Sequence, residues 1–104
     1  MRLRYTPQAI HDINEIKAYI STSLRNETAA KRIASVILQG CTKLKTFPFL
    51  GFSVRDRYGI DSEDRILLCE NYIAVYTVEE NIISVGRIID GRQDYIRILQ
   101  SSLK

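Results

Sequence analysis

Three apolar stretches in the second half of the chain, Arg65 to Cys69, Tyr72 to Val78 and Ile82 to Ile89, are separated only by Glu70-Asn71 and by Glu79-Glu80-Asn81. Runs of this length, rich in Ile, Val and Tyr, read as strands, and connections this short allow only consecutive antiparallel hairpins. The second half is therefore a meander, and the first half has to cover one of its faces.

The first half has a different period. Leu3 and Tyr5 alternate with Arg2 and Arg4 ahead of Pro7, which predicts a short strand entering a helix where proline is tolerated at the first turn. Ile10, Ile13, Ile16 and Ile20 recur at helical spacing, with His11, Asp12, Asn14, Glu15 and Lys17 on the opposite face, so an amphipathic helix is expected over 7–22. Asn26 is placed to cap a second helix over 27–46, whose buried face is marked by Ala29, Ala30, Ile33, Val36, Ile37, Gly40, Cys41 and Leu44. Two helices joined this closely pack as an antiparallel hairpin.

Pro48 and Gly51 stop the second helix. The rings of Phe47, Phe49 and Phe52 are expected to plug the core beneath that loop, because no basic residue is interleaved among them as a base-stacking platform would need. A short strand is expected near Val54 to Tyr58, and a short helix or a tail from Tyr95 to Leu103. The expected fold class is α+β, one domain over 1–104: an N-terminal strand, an antiparallel helix hairpin, then a three- to four-strand antiparallel meander packed on the helices.

With 104 residues, 45% apolar and 26% charged, the chain can bury one core and lacks the signature of disorder. No apolar run approaches the roughly 20 residues of a membrane-spanning helix, and the N-terminus lacks the apolar stretch of a secretory signal, so a cytoplasmic protein without a membrane partner is expected. Cys41 and Cys69 have no metal-ligand spacing and are expected to be buried free thiols; no glycine-rich phosphate loop or ligand cluster implies a cofactor or a metal. The net charge of +3 hides an asymmetry, with ten Lys/Arg against four Asp/Glu in residues 1–60 and five against eight in residues 61–104. A basic half favours a polyanion or an acidic protein segment as partner, though cations spread along amphipathic helices also make an ordinary solvated face.

Chemistry concentrates where the last strand ends. Arg87 interrupts its apolar run, and the chain then turns through Asp90-Gly91-Arg92-Gln93-Asp94-Tyr95, placing a second cation, carboxylates and a phenol together. Arg65 interrupts another strand; if the two strands were neighbours, alternation would let Arg65 and Arg87 leave one face and grip a phosphate or carboxylate. They can equally be tied to Glu63, Asp64 or Asp94 as internal ion pairs. Asp94 is expected to pair with Arg92 or Arg87 and pin the turn while Tyr95 packs beneath the tail; alternatively the Tyr95 phenol, beside two arginines, shares a proton with a leaving group. His11, the only histidine, lies off the apolar stripe and reads as solvent-facing.

These pieces together resemble the RelE/ParE superfamily of bacterial toxins. The matching residues are Tyr5-Thr6-Pro7, Ala9 and Asp12-Ile13 entering the first helix; Phe47-Pro48 and Leu50-Gly51 after the second; then Arg65-Ile66-Leu67, Tyr72-Ile73-Ala74-Val75-Tyr76 and Gly86 to Tyr95. The resemblance is closest to the ParE-like, plasmid-stabilisation branch, whose members end in a strand arginine, apolar residues and a Gly-Arg-x-Asp turn.

The resemblance implies the toxin of a type II toxin–antitoxin module, of which two activities are known: ParE-like members poison DNA gyrase, and RelE-like members cut messenger RNA in the ribosome. RNA cleavage needs a base, cations for the phosphorane and an acid. The RelE-like nucleases carry lysines on the strand that here reads Asp64-Arg65-Ile66-Leu67-Leu68, and an arginine where Ile73 follows Tyr72; neither is present. Asp90 stands where ParE-like relatives often have histidine. The expectation is therefore a toxin acting on gyrase by binding rather than by its own catalysis, neutralised by a cognate antitoxin and reaching operator DNA only through it. The alternatives are a ribosome-dependent, metal-independent endoribonuclease using Arg65, Arg87, Arg92 and Tyr95, and a non-toxic antitoxin-binding remnant. In the binding reading, Arg65, Arg87, Arg92 and Asp94 are the candidate target or anion contacts.

Overall fold

The computed structural model describes residues 1–93 and 95–102, the last four as backbone only. The elements run β1 (Arg2–Tyr5), α1 (Pro7–Ala18), α2 (Glu27–Thr42), β2 (Phe52–Ser53), α3 (Val54–Tyr58), β3 (Arg65–Cys69), β4 (Tyr72–Glu79), β5 (Ile82–Asp90) and α4 (Tyr95–Ser102). The helix hairpin and the antiparallel meander are as the sequence led us to expect. A π turn, Tyr19–Ser23, extends α1, and a 3₁₀ turn, Lys43–Lys45, extends α2.

Helix starts are set locally. Thr6 Oγ1 accepts a hydrogen bond from Ala9 N at 3.1 Å to cap α1, with Pro7 at the first turn. Asn26 Oδ1 does the same for α2 through Ala29 N at 3.0 Å. Thr6 also reaches across the molecule: its hydroxyl donates to Gly86 O at 2.9 Å and its N–H donates to Val85 O at 2.9 Å, so the helix start is fastened to β5.

The five strands form one sheet in the order β1-β5-β4-β3-β2. Two-residue turns join β3 to β4 and β4 to β5, pairing Cys69 with Tyr72 and Glu79 with Ile82. The edge strand β1 is parallel to β5, from Arg2 opposite Ile82 to Tyr5 opposite Val85. At that point β5 bulges: Tyr76 faces Val85 and Val75 faces Arg87, leaving Gly86 as the extra residue.

Both sheet faces are covered. Leu67, Ala74, Tyr76, Val85 and Ile88 pack with Ala9, Ile13, Ile33, Ile37 and Cys41 of the helix hairpin. On the other face, Ile66, Ile73, Val75 and Ile89 pack beneath Val54 of α3, with Tyr95 and Ile98 of α4 at the margin.

Two expectations fail here. Val54–Tyr58 is a helix rather than a strand, because Ser53 Oγ accepts from Asp56 N at 3.2 Å to cap it and Gly59 closes it at a φ of 69°. The strand at this point is the two-residue β2, which pairs Phe52 with Ile66 and Ser53 with Arg65. Phe47 and Phe49 do not plug the core: they are 61% and 66% exposed. Tyr76 already fills the space below, donating from its hydroxyl to Pro48 O at 2.9 Å and accepting from Gly51 N at 3.0 Å, so the loop turns its backbone inward and its rings outward.

Candidate functional site

The helix stripe that contacts β5 contains a carboxylate. Asp12 is buried, one turn from Ala9 and beside Ile13, instead of lying on the polar face where its charge suggested; Ile10 is exposed in its stead. Asp12 Oδ2 accepts from Arg87 Nε at 2.8 Å and from Ile88 N at 2.9 Å, and Asp12 Oδ1 accepts from Gln8 Nε2 at 2.9 Å. The reason lies in the sheet. Beyond Val85, β5 has lost β1 as neighbour, and the Asp12 carboxylate takes the open Ile88 N–H while neutralising Arg87.

Arg65 and Arg87 do not form a joint anion grip. β4 lies between their strands, and they stand opposite Tyr76 and Val75, adjacent β4 residues that contribute to the cores on opposite faces. Arg65 instead donates from Nη2 to Gly51 O at 2.6 Å and lies 5.0 Å from the centre of the Phe49 ring, bracing the aromatic loop. Its Nε is buried without a hydrogen-bond partner.

The turn after β5 is pinned by a pair within itself. Arg92 Nη2 donates to Asp90 Oδ2 at 2.6 Å, and Arg92 N donates to Asp90 Oδ1 at 2.9 Å. These bonds hold the Asp90 carboxyl below its ordinary pKa. The carboxylates serving Arg87 and Arg92 are thus Asp12 and Asp90; Asp94 lies outside the described residues. Tyr95 is turned toward α3, its hydroxyl 2.6 Å from that of Tyr58, and this hydrogen bond raises its pKa. His11 is exposed, 3.8 Å from Glu15.

Two concavities flank these residues. A polar cleft of about 460 Å³ between α1 and the end of β5 is lined by Asp12, Glu15, Tyr19, Tyr72, Arg87, Asp90 and Arg92. Its three carboxylates outnumber its two guanidiniums, so it does not concentrate anions. A groove of about 550 Å³ between α2 and β3 is mainly apolar, lined by Val36, Gly40, Leu50, Phe52, Leu67 and Leu68 among others. Since β2 pairs only with Arg65 and Ile66, the outer edge of Leu67–Cys69 has no strand partner among the described residues. Leu68 and Leu50 are exposed beside it.

Among the described residues no group of three or more His, Cys, Asp or Glu could hold a metal ion, and no helix is long and apolar enough to cross a membrane.

Residues 3–95 match the family model described as the ParE toxin of type II toxin–antitoxin systems. The chain belongs to the ParE toxin family. Its fold is that of a chain in the chromosomal ParDE toxin–antitoxin system of P. aeruginosa, with a TM-score of 0.72 at 21% sequence identity, covering 86% of this chain and 95% of that one. A search of curated proteins finds no match. The family match spans Asp12, Arg65, Arg87 and Arg92 and ends at Tyr95.

Asp12 is the residue that reading the sequence overlooked. Its signal was present: it stands three residues after Ala9 and four before Ile16, within the buried stripe once that stripe is centred on Ala9, Ile13 and Ile20 rather than on Ile10.

Proposed function

We propose that this ParE toxin inhibits growth by binding DNA gyrase rather than by its own catalysis, and that a cognate antitoxin silences it. The observation that supports a binding mode is the engagement of all three candidate arginines: Arg87 by Asp12, Arg92 by Asp90 and Arg65 by the carbonyl of Gly51. A phosphoryl-cleaving site needs cations directed at the phosphate and a base nearby; here each guanidinium already serves a protein group, and Tyr95 is drawn to Tyr58.

The antitoxin reading draws on the other concavity. An extended antitoxin segment adds its backbone to the unpartnered edge of β3 and lays apolar side chains into the groove against α2, with Leu68 and Leu50 as anchors. Lys43, in the turn that extends α2, lines the same groove and suits an acidic segment.

Induced expression without antitoxin tests the target. DNA synthesis failing first, in filamenting cells with intact transcripts, supports gyrase; translation failing first with cleaved transcripts replaces this reading with the endoribonuclease one. Unimpaired growth identifies a non-toxic remnant.

A further inference from the structure

The loop Phe47-Pro48-Phe49-Leu50 turns its rings to solvent on a backbone that is held from below. Phe47 N donates to Lys43 O at 2.9 Å, Leu50 N donates to Phe47 O at 3.1 Å, and the Tyr76 hydroxyl links Pro48 O to Gly51 N. Two phenyl rings, well over half exposed, are thus presented on a fixed frame. Folding gains nothing from keeping these rings in water, which marks the loop as a contact surface.

The charge beside it is of one sign. Residues 28–55 contain five Lys/Arg and no Asp/Glu, and the exposed Lys43 and Lys45 lead directly into the loop. From β3, Arg65 lies over the Phe49 ring at 5.0 Å from its centre. Toward α3, Phe49 shares a hollow with Arg55, Asp56, Glu63 and Arg65, where two charges of each sign balance, so the excess lies with the lysines. The sequence sets no cation between the aromatic residues; the fold supplies them from the turn before the loop and from a neighbouring strand.

We propose that this loop is a stacking platform for single-stranded nucleic acid, with bases laid on Phe47 and Phe49 and the flanking phosphates met by Lys43 and Lys45. Exposed flat rings, a guanidinium at one of them and a cationic flank are the parts that such binding combines. An acidic protein segment would satisfy the lysines equally, but carboxylates offer nothing to the two ring faces, whereas every base does. The site stands apart from the gyrase reading and is measured without that enzyme.

The test is fluorescence anisotropy of a labelled oligothymidylate with the folded protein at about 50 mM salt, beside a duplex of equal length. The expected result is single-strand binding about tenfold tighter than duplex binding, with a log–log salt slope of about −1.4 for two phosphates. Phe47→Ala and Phe49→Ala should each weaken it roughly fivefold to a hundredfold, and Phe47→Leu, apolar but without a ring, should weaken it too. The chain has no tryptophan, so Phe47→Trp supplies a single reporter whose emission a stacked base should quench. Equal affinity for single strand and duplex, or affinity untouched by both ring variants, reduces the interaction to charge and overturns the proposal. Absence of binding overturns it as well. So does displacement of the oligonucleotide by an equal concentration of a glutamate-rich peptide whose own binding requires Phe47, which would assign the loop to an acidic protein segment. The wild-type comparison decides the matter if a variant does not fold.

Discussion

One oxygen of Asp12 sits 2.8 Å from Arg87 Nε and 2.9 Å from Ile88 N, so a single carboxylate on α1 neutralises the only cation of β5 and completes the strand's hydrogen bonding where β1 stops. Arg87, the residue that most suggested an anion site, is therefore half of a joint between helix and sheet.

Removing that carboxylate leaves a half-buried guanidinium and an unpaired amide. Asp12→Ala should cost about 2–4 kcal/mol in urea unfolding. Asp12→Asn should cost less, because the amide oxygen still accepts from Ile88 N. Equal midpoints for Asp12→Ala and wild type would show that the joint contributes nothing.

The loop between α2 and β2 rests on one hydroxyl. Tyr76→Phe should lose about 1–2 kcal/mol and speed amide exchange at Gly51, whose N–H bonds that oxygen. Gly51→Ala should be worse, since its methyl group would run into Ile66 O, which is backbone and has little room to yield. A Gly51→Ala protein as stable as wild type would contradict this packing.

Burial raises the Asp64 pKa above its ordinary 3.8, outweighing a hydrogen bond from Ser62. Between the unfolded and folded values the native state holds more protons, so this group's contribution to stability falls as pH rises through that window. Asp64→Asn should therefore be at least as stable as wild type at neutral pH, and that advantage should disappear below the unfolded value. Thermal melting across acid pH reads the difference; an advantage that grew on acidification would refute the sign.

Tyr95 shares its hydroxyl with Tyr58 at an exposed site, and Tyr95→Phe should leave folding and growth arrest essentially unchanged. Loss of arrest by a folded Tyr95→Phe protein would revive cleavage chemistry at that phenol.

Leu68 is exposed and lines the apolar groove. Leu68→Glu should leave the toxin folded but weaken antitoxin binding roughly tenfold to a hundredfold, as charging a central interface residue does. Titration calorimetry with the antitoxin measures it, and unchanged affinity would move the antitoxin elsewhere.

What could be read from the sequence was whatever depends on neighbours in the chain. The strands 65–69, 72–79 and 82–90 and the cap at Asn26 follow from alternation, short turns and an Asx acceptor. The missed features depend on distant partners. The Gly86 bulge re-registers β5 against β4, which no local pattern announces, and Asp12 is explained only by the edge that β1 leaves open 75 residues from Arg87. The aromatic loop misled for the same reason: whether Phe47 points inward depends on Tyr76 occupying the space first. Ser53, a hydroxyl acceptor three residues before the amide of Asp56, is a local helix-start signal that the strand expected near Val54 to Tyr58 left out of account.

The parallel pairing of β1 with β5 sets a schedule for biosynthesis. Arg2 finds its partner only at Ile82, so no shortened nascent chain can close the sheet, however long the helix hairpin has been available. For most of its elongation time the ribosome carries an unfinished polypeptide, and a competent toxin exists only once the final strand has cleared the exit tunnel.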